Sequence, residues 1–260
     1  MAASETTQET EETRGAGVRW RIIRPLFETL YRNRYLYWLA STIPFAGQWR
    51  TWQRLVIPRL VGQRVLETGC GIGTLLSDMA KAGYTCAAIE RSPQMVAATR
   101  DRLRREGLFD KATVTQGSVQ HMPYADAAFD SVVSTFPTEY IVDPATTREM
   151  ARVLRPGGRV IVVMGAALLP ANLLLLPLVG LQTLVYGRAR RSTSSGQDTE
   201  TNESAASPAQ ASTNIEVRGD LLLERMRAAG FVAHAERVKG PFWVALLYIG
   251  EKPDEELKEN

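Results

Sequence analysis

Short apolar runs alternate with segments of helical spacing along the middle of the chain. The runs at 64–67, 85–90, 112–116, 130–135 and 159–164 predict five buried strands. Segments with apolar residues every three or four positions separate most of these runs and predict helices. Strands that alternate with helices are typical of a parallel, doubly wound α/β sheet.

Capping residues mark where the predicted helices begin and end. A helix over 74–82 follows the first strand, and the helix after the second strand begins at Ser92. Asp143 and Pro144 open a third predicted helix, which ends near 154. The sequence RPGG at 155–158 predicts a turn before the fifth strand. These boundaries all fall between strands, so the alternation is regular up to the fifth strand.

The pattern resumes near the C-terminus with a helix at 219–229 and two strands at 231–238 and 242–249. Only the residues at 239–241 join the two strands, and so short a connection implies an antiparallel hairpin. We therefore predict a doubly wound, seven-stranded sheet, mostly parallel, with an antiparallel hairpin strand at its C-terminal end.

Charge and composition divide the rest of the chain into segments. The net charge is +3, but residues 14–64 hold ten arginines and a single acid. Residues 192–213 include no large apolar side chain and predict a flexible loop. The predicted segments are an acidic, disordered head at 1–16, a basic and aromatic helical cap at 17–61, the core at 62–164 and 214–250, an apolar insertion at 165–191, the flexible loop at 192–213 and an acidic tail at 251–260.

The stretch 160–187 has no charged residue and is long enough to span a membrane. A single crossing would separate the last strands from the sheet, and Pro170 and Pro177 would interrupt a long helix. An interfacial helix or shallow hairpin remains, and we expect it to contact an anionic membrane surface together with 17–61. The alternative is a hydrophobic lid or a dimer contact beside a solvated basic face.

The most informative motif is VLETGCGIG at 65–73. A glycine-rich turn from strand to helix lets backbone N–H groups approach a ligand closely. The dinucleotide fingerprint needs Gly or Ala at its sixth position, where the two possible registers have Thr74 and Leu76. Two acids flank the turn instead. Glu67 closes the first strand and suits a cationic amino group, whereas Glu90 closes the second strand and could accept both hydroxyls of a ribose.

In these motifs the chain resembles the class I S-adenosylmethionine-dependent methyltransferases, in the small-molecule branch that includes the ubiquinone and menaquinone methyltransferases. The resemblance covers about 62–164 and 214–250. It implies a Rossmann-like sheet, S-adenosyl-L-methionine as cofactor and methyl transfer as activity. The matching segments are 65–73 (VLETGCGIG), 88–96 (AIERSPQMV), 117–134 (ending in PYADAAFDSVVS), 148–163 (REMARVLRPGGRVIVV) and 222–231 (LLERMRAAGF).

The resemblance also implies roles for individual residues. Glu67 and the glycine turn would contact the methionine end of the cofactor, and Glu90 would contact the ribose. Met95 would flank the adenine, and Ser118 and Val119 would lie at the edge of the adenine. The family usually has Asp where this chain has Ser118, whose neutral hydroxyl accepts a weaker hydrogen bond. The implied cofactor contacts are Glu67, Gly69, Cys70, Gly71, Gly73, Glu90, Arg91, Met95, Ser118, Val119 and Ser134.

No catalytic base stands out in the sequence. Methyl transfer from a sulfonium is a direct displacement, so positioning can supply much of the rate, and a base is needed only if the acceptor loses a proton. Glu139 and Tyr140 follow the fourth strand and could orient a nucleophile or simply begin a helix. His121 could accept a proton or be a polar loop residue.

The predicted function is methyl transfer to a small apolar or lipid-like acceptor at a membrane surface. The alternatives are a soluble small-molecule methyltransferase, a nucleic-acid methyltransferase and a non-catalytic cofactor-binding scaffold. The nucleic-acid alternative is disfavoured because the basic charge is confined to one segment. Two cysteines and two histidines offer no metal cluster, so we expect no metal. The acidic first residues predict a cytoplasmic protein. The membrane contact expected of 17–61 and 165–191 would make it peripheral at the inner face of a membrane.

Overall fold

The computed structural model of the protein describes residues 47–168 and 208–254. The predicted head, most of the helical cap, and most of the apolar insertion and flexible loop lie outside the described residues, as does the end of the tail. The membrane contact expected of 17–61 and 165–191 therefore stays a prediction.

Seven strands in the described residues form one sheet: β1 (Arg64–Thr68), β2 (Thr85–Glu90), β3 (Ala112–Gln116), β4 (Phe129–Thr135), β5 (Leu154–Leu168), β6 (Val232–Lys239) and β7 (Trp243–Glu251). Their order across the sheet is β3-β2-β1-β4-β5-β7-β6. The pairs from β3 to β5 are parallel, whereas β7 runs antiparallel to β5 and to β6. The predicted doubly wound, mostly parallel sheet is confirmed.

Five α-helices lie within the described ranges: α1 (Trp49–Gln53), α2 (Thr74–Lys81), α3 (Pro93–Arg105), α4 (Pro144–Val153) and α5 (Pro208–Ala228). Two 3-10 helices, Arg54–Arg59 and Glu139–Val142, follow α1 and β4. The side chains of Ser92 and Asp143 cap α3 and α4, as their sequences predict. Among the helices described, none combines the length and the apolar character needed to cross a membrane.

Apolar side chains pack against both faces of the sheet. Successive strand residues point to opposite faces, so Val65 of β1 joins one core and Leu66 the other. The first core includes residues of α1, α2 and α3, among them the fully buried Trp52. The second includes Met150 of α4 and Leu222 of α5. Helices therefore cover both faces, and the connecting loops gather at the two ends of the strands.

Strand β5 is longer at both ends than the sequence predicts. Residues 155–158, predicted as a turn, lie within the strand at a point where its register against β4 shifts. The Gly157 N–H there donates to the Lys252 carbonyl at 2.9 Å, so the chain after β7 pairs with this irregular part. At its other end β5 continues to Leu168, opposite Trp243. Gly157 has the left-handed φ of 67° that a Pro-Gly turn requires, but the residues around it pair as part of the strand, which the sequence did not predict.

Helix α5 begins at Pro208, within the segment predicted as a flexible loop at 192–213. Proline suits the first turn of a helix, and the alanines that follow favour helix formation. Low apolar content therefore predicted a loop where the structure has the first turns of a helix.

Gly219 determines how closely α5 approaches β7. The residue is buried, and a Cβ built at this position would overlap the phenol ring of Tyr248. Glycine inside a helix usually costs about 1 kcal/mol relative to alanine. Here the missing side chain lets the helix rest directly on the sheet.

We expect Gly219→Ala to lower the free energy of unfolding by roughly 2 kcal/mol, although the same change in a free helix would be stabilising. Urea denaturation measures the effect. Tyr248→Leu provides the matched background, because Gly219→Ala should cost much less once the phenol is removed. Equal losses in the two backgrounds would show that the phenol does not limit the approach of α5.

Candidate functional site

The site lies where the chain reverses direction across the sheet. From β1 the chain continues to β2 on one side, while β4 and β5 extend the sheet on the other. Ligands of open parallel sheets bind in the crevice that such a reversal creates at the carboxyl ends of the strands. The turn at 69–73 follows β1 directly, and Glu90 ends the neighbouring β2. Both predicted features therefore lie at this crevice.

Three glycines give the turn after β1 a left-handed backbone, with φ of 71° at Gly69, 54° at Gly71 and 70° at Gly73. Thr99 of α3 fixes the turn, since its hydroxyl donates to the Gly71 carbonyl at 2.8 Å. At Gly73 a Cβ would lie 2.6 Å from the Thr99 methyl carbon, so only glycine fits without displacing that side chain. The turn therefore needs glycine for its backbone and for its packing.

The Glu90 carboxylate borders the glycine turn. One oxygen accepts the Gly71 N–H at 3.0 Å and the other accepts the Ser92 N–H at 2.9 Å. Each carboxylate oxygen can accept a further hydrogen bond. Because the group is only partly buried, a ligand with two adjacent hydroxyls could donate to both oxygens.

The Glu67 carboxyl group lies on the adjacent strand and is 1% exposed. The Leu76 backbone hydrogen-bonds to it, but among the residues described here its Oε2 atom has no partner. Burial, with a smaller contribution from the charge of Glu90, raises the pKa of Glu67 to about 8. A ligand ammonium group could donate to this oxygen and would also supply a compensating charge, so Glu67 fits such a ligand.

The residues predicted at the adenine edge follow β2 and β3. Met95 and Val119 are both buried, and Val119 belongs to the second core. The Ser118 hydroxyl contacts the Gln120 amide oxygen, and the Gln120 Nε2 donates to the Asp143 carboxylate at 3.3 Å. Ser118 is therefore oriented by a series of side-chain hydrogen bonds that runs through Gln120 to Asp143 at the N-terminus of α4.

Tyr140 links the end of β4 to the end of β1. Its hydroxyl lies 3.0 Å from Ser134 Oγ and donates to the Thr68 carbonyl at 3.2 Å. Burial raises the pKa of Tyr140 to about 12, so the phenol keeps its proton at neutral pH. Its oxygen also lies 2.6 Å from where a Cβ on Gly69 would be. In this structure Tyr140 supports the glycine turn as a hydrogen-bond donor.

The remaining predicted residues have different surroundings. Cys70 is buried within the turn, and burial raises the pKa of its thiol well above its usual value. Arg91, His121 and Glu139 are exposed. In the described ranges, no group of three His, Cys, Asp or Glu side chains could hold a metal ion. The predicted residues brought together around the turn are Glu67, Gly69, Cys70, Gly71, Gly73, Glu90, Ser134 and Tyr140.

Sequence reasoning missed several residues that support this site. Thr99 lies four positions after Met95 on the buried side of α3, a spacing that could have identified it. Gln120 follows the predicted Ser118 by two positions. Gln53 and Arg218 contact the residues at the end of β4 from distant parts of the chain, and no local pattern indicates either.

An acid-flanked glycine turn at the switch point of a Rossmann-like sheet defines a domain that binds a nucleoside-containing ligand. Residues 66–162 match the family model described as a methyltransferase domain. The resemblance to S-adenosylmethionine-dependent methyltransferases of the small-molecule branch is therefore confirmed.

Two curated relatives are similar to part of this chain. The methyltransferase GfsG of Streptomyces halstedii is 33% identical over 167 residues, which cover 61% of this chain and 60% of that protein. A demethylmenaquinone methyltransferase of Mycobacterium marinum is 34% identical over 146 residues, or 55% of this chain and 58% of that protein. The chain thus spans about three fifths of the length of these relatives.

A solved structure shares the fold. It is a candidate S-adenosyl-L-methionine-dependent methyltransferase from Methanococcus maripaludis, 19% identical, with a TM-score of 0.56. The alignment covers 84% of this chain and 90% of that chain. At this identity the likeness shows the fold alone.

Without ligand, Glu67→Gln should be more stable than the wild type at neutral pH. The unfolded chain releases the Glu67 proton near pH ~4.3, its usual pKa, whereas the folded chain retains it until about pH 8. Between these two pH values the folded state binds more protons than the unfolded state, so the stability of the wild type falls as the pH rises. The advantage of the variant should therefore grow from about pH 5 to about pH 8 and then level off, as measured by urea denaturation.

Glu149→Gln is the control of opposite sign. The Arg152 guanidinium hydrogen-bonds to Glu149 and holds its pKa below its usual value. That variant should be less stable than the wild type at neutral pH, and the difference should shrink as the pH falls below about 4. The same pH trend in both variants would contradict a protonated, buried Glu67.

Proposed function

We propose that this chain binds S-adenosyl-L-methionine and transfers its methyl group to a small-molecule acceptor. The observation that carries the proposal is the buried carboxyl group of Glu67, whose Oε2 atom has no partner in the described part of the chain, beside the glycine turn and Glu90. An ammonium group suits the first acid and a diol suits the second. The methionine and ribose parts of the cofactor carry these two groups.

The proposed contacts follow the order of the strands. Glu67 and the backbone of the glycine turn hold the methionine end, and Glu90 accepts the ribose hydroxyls. Met95 and Val119 contact the adenine, and Ser118 accepts a hydrogen bond at its edge. The remaining proposed contacts are Gly69, Cys70, Gly71, Gly73, Arg91 and Ser134.

The cofactor, when bound, supplies an electrophilic methyl group on a sulfonium. The protein would hold the acceptor near this carbon and exclude water, which can account for much of the rate. Ser134 and Tyr140 join the end of β4 to the end of β1 and so fix the distance between the two strand ends. Since Tyr140 retains its proton, we propose that it positions the turn and does not act as a base.

We also propose that the acceptor is apolar or lipid-like and is met at an anionic membrane surface. The relative from Mycobacterium marinum is named for demethylmenaquinone, an apolar molecule. Ten arginines at 14–64 and the uncharged stretch 169–187, which follows β5, would supply the charge and the apolar surface that interfacial binding needs. A water-soluble acceptor, with the apolar segment as a lid or dimer contact, is the alternative.

Glu90→Ala should weaken S-adenosylmethionine binding by about 1–3 kcal/mol, because a charged acceptor facing buried hydroxyls is lost. Isothermal titration calorimetry measures the affinity. Glu90→Gln is the matched control and should lose less, since it keeps an acceptor oxygen. A folded Glu90→Ala variant with unchanged affinity would remove Glu90 from the site, and a wild type that binds no cofactor would overturn the proposed function.

The intact protein should bind vesicles that contain phosphatidylglycerol, and salt should weaken this binding by screening the arginines. Replacing 169–191 by a short Gly/Ser linker should abolish vesicle binding while leaving cofactor affinity unchanged. The replacement begins after Leu168 because β5 is paired up to that residue. If the intact protein does not sediment with these vesicles at low salt, the membrane part of the proposal fails and the lid or dimer alternative is favoured.

A further inference from the structure

The segment 117–122 follows β3 and is fixed at both of its ends. The Gly117 N–H donates to the Glu90 carbonyl at 3.0 Å, which joins the start of the segment to the end of β2. At the other end, the carboxylate of Glu149 in α4 accepts the Met122 N–H at 2.7 Å. The backbone of this segment is therefore held between the end of β2 and α4.

Ser118 lies in this segment, beside the proposed ribose site. It directly follows Gly117, which is hydrogen-bonded to Glu90, and it is only partly buried. The Glu90 carboxylate is the proposed acceptor of the ribose hydroxyls. Because the base of a nucleoside is bonded directly to its ribose, the edge of a base whose ribose is bound at Glu90 lies within reach of the Ser118 hydroxyl.

The Gln120 amide determines the direction of the Ser118 proton. Its Nε2 donates to the Asp143 carboxylate at 3.3 Å. An ionised carboxylate can only accept hydrogen bonds, so the amide has its NH₂ group towards Asp143 and its oxygen towards Ser118. The amide oxygen can also only accept, so the Ser118 hydroxyl donates its single proton to Gln120 Oε1.

Asp143 is held in place by the helix that it caps. Its Oδ1 accepts the Ala145 N–H at 2.8 Å in the first turn of α4, while its Oδ2 accepts from Gln120. The series of hydrogen bonds therefore begins at a fixed helix end and runs in one direction to Ser118. In this arrangement the Ser118 oxygen keeps lone pairs for a ligand donor, but its proton is already used.

We propose that Asp143 and Gln120 are positioning residues that determine which purine the site accepts. With its proton directed to Gln120, the Ser118 hydroxyl pairs with an exocyclic amino group such as that of adenine. A carbonyl oxygen at the same position of the base, as in hypoxanthine, faces a lone pair and receives no hydrogen bond. This inference rests on the proposed function, because it concerns the base of the proposed cofactor.

Two ligands that differ in this one group test the selection on the full chain. They are S-adenosylhomocysteine and S-inosylhomocysteine, in which a carbonyl oxygen replaces the adenine amino group. Calorimetry on the wild type should show at least about tenfold tighter binding of S-adenosylhomocysteine. Ser118→Ala should remove most of this preference by weakening S-adenosylhomocysteine alone, because only the amino group uses the hydroxyl.

The decisive result is a gain of affinity for the carbonyl ligand. Gln120→Met removes the acceptor, so the Ser118 hydroxyl can turn and donate to the carbonyl oxygen. S-Inosylhomocysteine should then bind about fivefold tighter than to the wild type, and S-adenosylhomocysteine should stay within about twofold. Asp143→Asn should act in the same direction, since asparagine still caps the helix but no longer fixes the amide. General damage to the site would weaken both ligands.

A rescue variant separates the direction of the proton from the shape of the site. Ser118→Asp in the Gln120→Met background should restore at least the wild-type preference, because an ionised carboxylate has no proton to donate. Gln63→Met and Asp110→Asn are the matched controls. Both positions are exposed and lie before β1 and β3, away from the carboxyl ends of these strands, so both affinities should stay within about twofold.

The outcomes separate this inference from the proposed function. Gln120→Met and Asp143→Asn variants that bind S-adenosylhomocysteine with the wild-type preference would overturn the positioning roles, and if one variant does not fold, the other decides. A wild type that binds both ligands equally would overturn the selection, while the proposed function would stand. A wild type that binds neither ligand would overturn the proposed function and this inference together.

Discussion

Between Thr68 and Thr74 the backbone leaves β1 and begins α2 through three left-handed glycines, a conformation that is unfavourable for other residues. Contacts from three separate elements stabilise this turn. The Thr99 hydroxyl holds it from α3, the Glu90 carboxylate accepts one of its N–H groups from β2, and Tyr140 donates to the carbonyl at its start. Because these partners are distant in sequence, the turn keeps its conformation only in the assembled sheet. The crevice at the carboxyl ends of the strands in turn needs this conformation to accept a ligand.

The two acids beside the turn differ because their surroundings differ. Glu90 accepts hydrogen bonds from two backbone N–H groups and is partly exposed. Glu67 is buried close to the charge of Glu90, so its neutral form is favoured in the empty protein. The Glu67 carboxyl group therefore need not be ionised before a ligand arrives. A cationic ligand would reverse this balance at Glu67, which couples its binding to proton release.

Local sequence patterns predicted the features that depend on local physics. Apolar periodicity located the strands, Ser92 and Asp143 marked helix starts, and glycine spacing identified the turn. The errors occur where a partner far along the chain decides the structure. The residues at 155–158 pair with the backbone after β7, and Gln53 and Arg218 reach the end of β4 across about eighty positions. Neither arrangement leaves a periodic or compositional signal.

The positions of Leu168 and Pro208 have a consequence for how such a protein can diversify. The chain before Leu168 is fixed in β5 by its pairing with β7, and the chain after Pro208 belongs to α5. Joining two fixed ends by a connection of twice the length costs only about 0.6 kcal/mol of closure entropy. Insertions and deletions between these two points are therefore thermodynamically cheap. Evolution can change the connection in length and composition while the glycine turn, on the other side of β4, stays constant.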